Sequence, residues 1–242
     1  MIGVILAAGM AKRLRPLTNE RPKCLLSVGS RCLLKRTIDA LISNDIREFV
    51  IVTGYLGDMI KNFIESNYSD IKFHFINNAD FETTNNIYSL WLAKEVVDGK
   101  DFLLLDSDIL FDPVIIEKMM SQKSSALSVN RHELGEEEMK VVVNTNNEII
   151  EISKTCNVSD ALGESVGIEK IDADYSKALY KELDEMILNE KLVDIFYEKA
   201  FERLIPKGNV FKVVDTTDIF SIELDTVDDF NQAKALIPSN IF

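Results

Sequence analysis

The chain opens on an apolar run, Ile2-Gly3-Val4-Ile5-Leu6. It breaks off into Ala7-Ala8-Gly9 and then into a proline-punctuated loop carrying Lys12, Arg13, Arg15, Arg21 and Lys23. An apolar stretch without alternation is the pattern of a strand buried on both faces, which constrains the chain to a sheet covered by helices on two sides. Where the strand ends, small residues let backbone N–H groups approach an anion closely. The cations that follow supply the opposite charge. The layout suits a phosphate, although an ordinary strand exit into a solvated loop has the same spacing.

Strand-like and helix-like segments alternate through the first half. The pattern predicts strands at 2–7, 48–53, 71–76, 101–106 and 125–129, and helices at 33–43, 57–66, 86–97 and 113–121. β–α–β order with short links implies parallel strands joined by right-handed crossovers, with ligands bound beyond the carboxyl ends of the strands. That rule sets Ala7 to Arg13, Gly54-Tyr55, Asn77-Asn78 and Asp106 to Asp108 along one rim. After residue 130 the texture changes. A hairpin is predicted over 139–143 and 147–153, helices over 174–190 and 194–204, and strands over 210–214 and 219–224. A last helix starts at Thr226, whose spacing to Asp229 is a capping signal.

The 242 residues carry a net charge of −13, which disfavours DNA or RNA as a bulk partner. Against that background the basic cluster between Lys12 and Lys35 suits a small anionic ligand. Cys24, Cys32 and Cys156 form no pair motif, and His74 and His132 are isolated, so a zinc site is not expected. The thiols are expected to be reduced and the protein cytoplasmic, with no membrane span and no signal peptide before the first strand. Asp106-Ser107-Asp108 ends an apolar strand, and Glu223-Leu224-Asp225 ends another. Alternation turns each acidic pair to one side. Paired carboxylates without histidine or thiolate suit a hard cation such as Mg²⁺, and a polar strand exit would have the same pattern. Glu136-Glu137-Glu138 has the look of a solvated loop.

These residues also match a family pattern. The chain resembles the nucleotidyltransferases that activate sugar 1-phosphates and related small phosphate compounds. Their opening motif, L-A-A-G-x-G-x-R-L-x-P-L-T followed by P-K, stands here as Leu6-Ala7-Ala8-Gly9-Met10-Ala11-Lys12-Arg13-Leu14-Arg15-Pro16-Leu17-Thr18 and Pro22-Lys23. D-x-D follows at Asp106 and Asp108, and E-x-D-x-x-x-D at Glu223, Asp225 and Asp229. Two positions depart from the motif: Ala11 replaces its second glycine, and Cys32 replaces a proline. An alanine at 11 is expected to need a negative φ or a slightly shifted loop. Asn85-Asn86-Ile87-Tyr88-Ser89-Leu90, Met139-Lys140-Val141, Ile152-Ser153-Lys154, Gly167-Ile168 and Asp194-Ile195-Phe196-Tyr197-Glu198 resemble the short branch that makes CDP-linked phosphocholine or phosphonates.

The resemblance implies a Rossmann-like three-layer α/β/α nucleotidyltransferase fold with a mainly parallel mixed sheet and a small inserted acceptor-binding lobe. It implies a single domain over 1–242, with residues 1–130 as the nucleotide-binding half and 131–242 as the acceptor- and metal-binding half. On this reading Leu6, Ala7, Ala8 and Gly9 line the base and ribose pocket, with Lys12, Asn85 and Asp106 beside the nucleotide. Arg13 and Lys23 hold the triphosphate as the catalytic cations. Asp108, Asp225 and Glu223 hold Mg²⁺. Lys140, Lys154, Glu164, Phe196 and Tyr197 meet the acceptor.

A quaternary ammonium prefers an aromatic cage. The chain has Met139 where the phosphocholine enzymes it resembles carry a tryptophan. Trp91 falls on the apolar face of a helix, which leaves Phe196 and Tyr197 as an incomplete cage. A primary ammonium needs hydrogen-bond acceptors instead, and the acidic stretches 133–138 and 194–202 offer them. The expected partners are therefore CTP and a small phosphonate or phosphate, foremost 2-aminoethylphosphonate, with pyrophosphate released. A homodimer is the assembly to test for, and neither nucleic acid nor membrane is expected. Phosphocholine, a phosphorylated amino-acid amide, a hydroxyalkyl phosphonate and a sugar 1-phosphate remain alternative acceptors. A nucleotide-sensing domain without turnover is the non-enzyme alternative. G-x-G-x-x-G is absent after the first strand, which argues against a dinucleotide-dependent oxidoreductase.

Overall fold

The computed structural model describes residues 1–239 and 241. Strand β1 (Ile2–Ala7) runs into the cationic loop, which closes on a short ribbon of β2 (Ser27–Val28) and β3 (Arg31–Cys32). Next come α1 (Leu33–Ser43), β4 (Glu48–Thr53), α2 (Gly57–Asn67), β5 (Lys72–Asn77), α3 (Asn86–Leu92) and α4 (Lys94–Val97). β6 (Phe102–Asp106), β7 (Ile109–Phe111), α5 (Val114–Met120) and β8 (Ala126–Asn130) complete the first half. The second half holds β9 (Lys140–Val143), β10 (Ile149–Ser153), β11 (Gly163–Ile171), α6 (Ala173–Asp184), α7 (Glu198–Leu204), β12 (Lys212–Asp215), β13 (Ser221–Glu223) and α8 (Val227–Leu236).

The main sheet runs β10-β9-β11-β6-β1-β4-β5, with β8 added on β11 and β12 on β8. β1 lies parallel between β4 and β6, and β5 extends the parallel set. β11 pairs antiparallel with β6 and makes the sheet mixed. The chain winds from β1 outward to β4 and β5, then crosses back to place β6 on the other side of β1. That reversal opens a crevice at the carboxyl ends of β1 and β6, the place where such sheets bind ligands.

Burial on both faces explains the unbroken apolar run of β1. Ile2, Val4 and Leu6 pack with α3, α6 and α7, while Ile5 and Ala7 pack with α1, α2 and α5. Each buried Ile, Leu or Val side chain contributes about 1.5–3 kcal/mol, so the sheet centre is a rigid platform for whatever its edge carries. A third, smaller cluster joins Leu14 and Leu26 of the cationic loop to Leu224, Phe230 and Ala233 around α8. This contact brings the acidic end of β13 to the cationic loop. α8 starts with a full capping box, in which the Thr226 side chain accepts from the Asp229 N–H and the Asp229 side chain accepts from the Thr226 N–H.

The structure differs from the sequence reading in a few elements. The predicted helix 86–97 breaks at Ala93 into α3 and α4. The predicted helix 194–204 starts only at Glu198. β11 is the strand that the sequence pattern hides. It carries Gly167 at φ 75° and the buried charged residues Glu169 and Lys170. Each charge is satisfied from another element: Tyr197 donates to Glu169, and Lys170 donates to the carbonyls of Met120 and Gln122. A glycine and two charges inside a strand have the pattern of a loop when such partners are out of view. The three cysteines are free and buried, and burial pushes the Cys156 thiol up to about 12. Among the described residues, no helix is long and apolar enough to cross a membrane.

Candidate active site

A cavity of about 480 Å³ occupies the crevice at the ends of β1 and β6. Its floor is the end of β1, with Leu6, Ala7, Ala8 and Gly9 in the wall. A Cβ added at Gly9 would meet no atom within 4 Å, so the backbone there lies open to a ligand. At Gly54 a Cβ would come within 2.8 Å of the Ala8 carbonyl, and Tyr55 N–H donates to that carbonyl at 3.0 Å. The Tyr55 hydroxyl clamps the far end of the loop on the carbonyls of Thr18 and Asn19.

Ala11 adopts φ 46° and ψ 54°. The sequence-based expectation of a negative φ is therefore corrected. The loop keeps the left-handed turn that glycine would take and accepts the steric cost of a Cβ there, about 1–2 kcal/mol. Two hydrogen bonds to the Ala11 carbonyl hold the turn, from Leu14 N–H at 3.0 Å and Thr18 Oγ1 at 2.9 Å.

The turn delivers Lys12, Arg13 and Lys23 to the cavity. Lys23 is 9% exposed, and its Nζ donates to Asp108 Oδ2 at 2.9 Å and to Asp225 Oδ1 at 2.7 Å. Arg13 pairs with the other oxygen of Asp225. Burial pulls the Lys23 ammonium down, but Asp108 and Asp225 outweigh it and hold the ammonium above its ordinary value. Burial likewise works to raise Asp225, and Lys23 outweighs it, so that carboxyl stays below the usual range. Burial, followed by Asp108 and Asp225, pushes Glu223 up to about 8.

Asp108, Glu223 and Asp225 each place a carboxylate oxygen within 4.8 Å of the others. Asp108 Oδ1 is buried with no hydrogen-bond partner. Three convergent hard oxygen ligands, one of them unsatisfied, fit a Mg²⁺ ion. Asp106, at the end of β6, lines the same cavity and accepts from the Tyr197 hydroxyl at 3.1 Å. Burial raises its carboxyl well above the ordinary range, and Asp108 and Glu198 add to the effect.

The opposite wall is built by α3, the 137–139 segment, β11 and the start of α7. Asn85 caps α3 by accepting from Asn86 N–H at 2.8 Å and faces the cavity. Glu164 lies in the wall and pairs with His132 Nε2 at 2.7 Å. Lys154 stands over the Phe196 ring, 4.7 Å from its centroid, and reaches Glu137 at 3.5 Å.

Two residues of the acceptor set lie elsewhere. Lys140 is 2% exposed and is held by the carbonyls of Lys154, Glu136 and Glu138, which ties the 136–140 loop down. Tyr197 is fully buried beneath the cavity, where its hydroxyl serves Asp106 and Glu169. Neither belongs to the cavity wall. Asn78, Phe81, Asn86, Ser89, Ser165 and Glu198 do line it. Of these, only Asn78 stood on the rim that strand order predicts. Asn86 and Ser89 of α3 and Glu198 of α7 fall in segments that carried the family resemblance without an assigned role, while Phe81, before α3, and Ser165 of β11 carried no signal in the sequence.

A family model described as nucleotidyl transferase matches residues 2–144. Over 236 residues the chain is 29% identical to the CTP:phosphoglutamine cytidylyltransferase of Campylobacter jejuni, covering 89% of this chain and 92% of that protein. It is 35% identical over 129 residues to the CMP-5'-(3-aminopropyl)phosphonate synthase of Streptomyces rubellomurinus, covering 53% of this chain and 20% of that protein. The solved structure of a CTP:phosphocholine cytidylyltransferase from Streptococcus pneumoniae has the same fold, with a TM-score of 0.79 at 22% identity over 98% of this chain and 99% of that one.

Proposed function

This chain belongs to the nucleotidyl transferase family, and we propose that within it the chain is a cytidylyltransferase: it joins CMP from CTP to a small phosphonate or phosphate and releases pyrophosphate. The observation that carries this reading is Lys23, a buried cation held between Asp108 and Asp225 beside the turn that follows β1. The acceptor's phosphoryl oxygen attacks the α-phosphorus of CTP. A new P–O bond forms as the bond to the bridging oxygen of pyrophosphate breaks. The attacking oxygen is already anionic at neutral pH, so positioning and charge stabilisation supply the catalysis and no strong general base is required.

In this proposal Leu6, Ala7, Ala8 and Gly9 seat the nucleoside against open backbone, with Asn85 and Asp106 at its side. Lys12, Arg13 and Lys23 neutralise the triphosphate, and Lys23 meets the charge that builds at the α-phosphorus. Asp108, Glu223 and Asp225 would hold Mg²⁺, which supplies charge neutralisation between two anionic substrates. Residues 1–130 serve the nucleotide and contribute Asp108 to the metal set, and 131–242 serve the acceptor and contribute Glu223 and Asp225.

The acceptor we propose carries a primary ammonium, with 2-aminoethylphosphonate as its representative. Phe196 is the aromatic side chain that faces the acceptor wall, while Glu137, Glu138, Glu164 and Glu198 also line it. A wall of carboxylates with one ring suits a hydrogen-bonding cation better than a trimethylammonium group. The glutamine and the aminopropyl group in the names of two related proteins also carry primary amines. Lys154, beside Phe196, is the cation placed to meet the phosphonate.

The test is pyrophosphate release with Mg²⁺ and each of CTP, UTP and dTTP. Each nucleotide is paired with 2-aminoethylphosphonate, phosphoglutamine, phosphocholine or glucose 1-phosphate. CTP with an amine-bearing acceptor should give the highest kcat/KM. A preference for glucose 1-phosphate with UTP or dTTP would move the chain to the sugar-activating enzymes, and no release from any pair would leave a nucleotide-sensing domain.

A further inference from the structure

We propose that Lys23 and Arg13 mask the metal carboxylates until a nucleotide draws them off, so that CTP and the divalent cation each open the other's site. The inference rests on the cytidylyl-transfer reading. Lys23 Nζ donates to Asp108 Oδ2 at 2.9 Å and to Asp225 Oδ1 at 2.7 Å, and Arg13 holds Asp225 Oδ2. Both oxygens of Asp225 are therefore already paired with a cation, as is one oxygen of Asp108. The other oxygen, Asp108 Oδ1, is buried with no hydrogen-bond partner. Of the three carboxylates that converge here, two thus carry the very cations that the triphosphate is to use.

These pairings set the two duties of the site against each other. A hard divalent cation needs the carboxylate oxygens at close range. An ammonium 2.7 Å from the same Asp225 oxygen would stand beside it with like charge. Lys23 is nearly buried, so water does little to screen that repulsion. Glu223 is the one member of the three for which no ion pair is formed among the described residues, and a single carboxylate is a poor metal site. A triphosphate at the cavity mouth offers Lys12, Arg13 and Lys23 a partner of higher charge. As Lys23 and Arg13 turn to it, Asp108 and Asp225 lose their counter-charges and become free to hold the metal. The coupling is reciprocal, because each ligand occupies the partner that obstructs the other. The cavity therefore assembles for transfer only when nucleotide and metal are both at hand.

The test measures binding and needs no turnover. Mn²⁺, as the probe for Mg²⁺, is titrated into nucleotide-free protein and followed by electron paramagnetic resonance, for the wild type, Lys23→Gln, Arg13→Gln and Lys12→Gln. Lys23→Gln should bind Mn²⁺ at least about 10-fold more tightly than the wild type, within the usual range of coupling between two sites. Arg13→Gln should shift the same way by less, since Arg13 covers one oxygen and is more exposed than Lys23. Lys12→Gln removes an equal charge from an exposed position on the same cavity wall and should stay close to the wild type. If Lys23→Gln does not fold, Arg13→Gln against Lys12→Gln decides. The reverse arm titrates CTP in EDTA. Asp225→Asn frees both cations and should bind CTP at least about 5-fold more tightly than the wild type. Equal Mn²⁺ binding by the wild type and Lys23→Gln, an equal gain in Lys12→Gln, or no gain in CTP binding by Asp225→Asn would overturn the masking and leave cytidylyl transfer standing. A protein that binds no CTP in EDTA or with Mg²⁺ would instead overturn the functional reading and this inference with it.

Discussion

Lys23 touches two of the three carboxylates that converge at the mouth of the cavity. Replacing it by alanine removes a preorganised cation and leaves Asp108 and Asp225 facing one another. Turnover of Lys23→Ala should fall at least about 100-fold in a pyrophosphate-release assay, the scale of losing one such donor. A near-normal rate would take Lys23 out of the chemistry. Ala11 makes a second residue-scale test. Its left-handed backbone carries a Cβ that glycine would not, so Ala11→Gly should raise unfolding stability by about 0.5–1 kcal/mol in urea titration. An unchanged or lower stability would show that the turn is not strained. The motif made the positions of Lys23, Arg13 and the acidic triplet legible, because each follows an apolar strand or a proline-bounded turn. Side-chain direction was not legible. Lys140 and Tyr197 sit where the chain order put them, but they turn into the protein to satisfy carbonyls and carboxyl groups that a sequence does not display.

Among the elements, β11 joins the two halves of the cavity, since it pairs with β6 on one side and with β8 and β9 on the other. Gly167 lies inside it at φ 75°, and a Cβ there would come within 3.0 Å of Asp106 Oδ2. Gly167→Ala should therefore cost about 1–2 kcal/mol of stability and lower activity by displacing Asp106. A variant that melts and turns over like the wild type would contradict that close approach. The parallel β–α alternation was legible because β1, β4 and β6 are buried on both faces and show continuous apolar runs. β11 was not legible, because Gly167, Glu169 and Lys170 break its pattern and find their partners only in three dimensions. The hairpin of β9 and β10 was legible from the Asn144-Thr145-Asn146 turn between two apolar stretches.

At the scale of the whole molecule, an acidic protein concentrates buried carboxyl groups beneath one cavity, and this gives its stability a pH dependence. Burial lifts Glu198 from 4.5 to about 7. An acid whose folded pKa is raised holds its proton more tightly when folded, so its contribution is full below its unfolded pKa and lost as pH rises through the folded one. From pH 4.5 to 7 Glu198 should therefore remove on the order of 2–3 kcal/mol of stability. Glu198→Gln should flatten that part of the curve in thermal melts, and an equal slope in both proteins would contradict it. The crevice between β1 and β6 and the carboxyl groups below it form one site, and its chemistry can be observed directly by ³¹P NMR. The wild-type protein is incubated with CTP, 2-aminoethylphosphonate and Mg²⁺. The expected result is the appearance, in equal amounts, of pyrophosphate and a mixed phosphonate–phosphate anhydride resonance. A spectrum in which CTP stays intact, or gives CDP and inorganic phosphate with the phosphonate unchanged, would contradict cytidylyl transfer at this site.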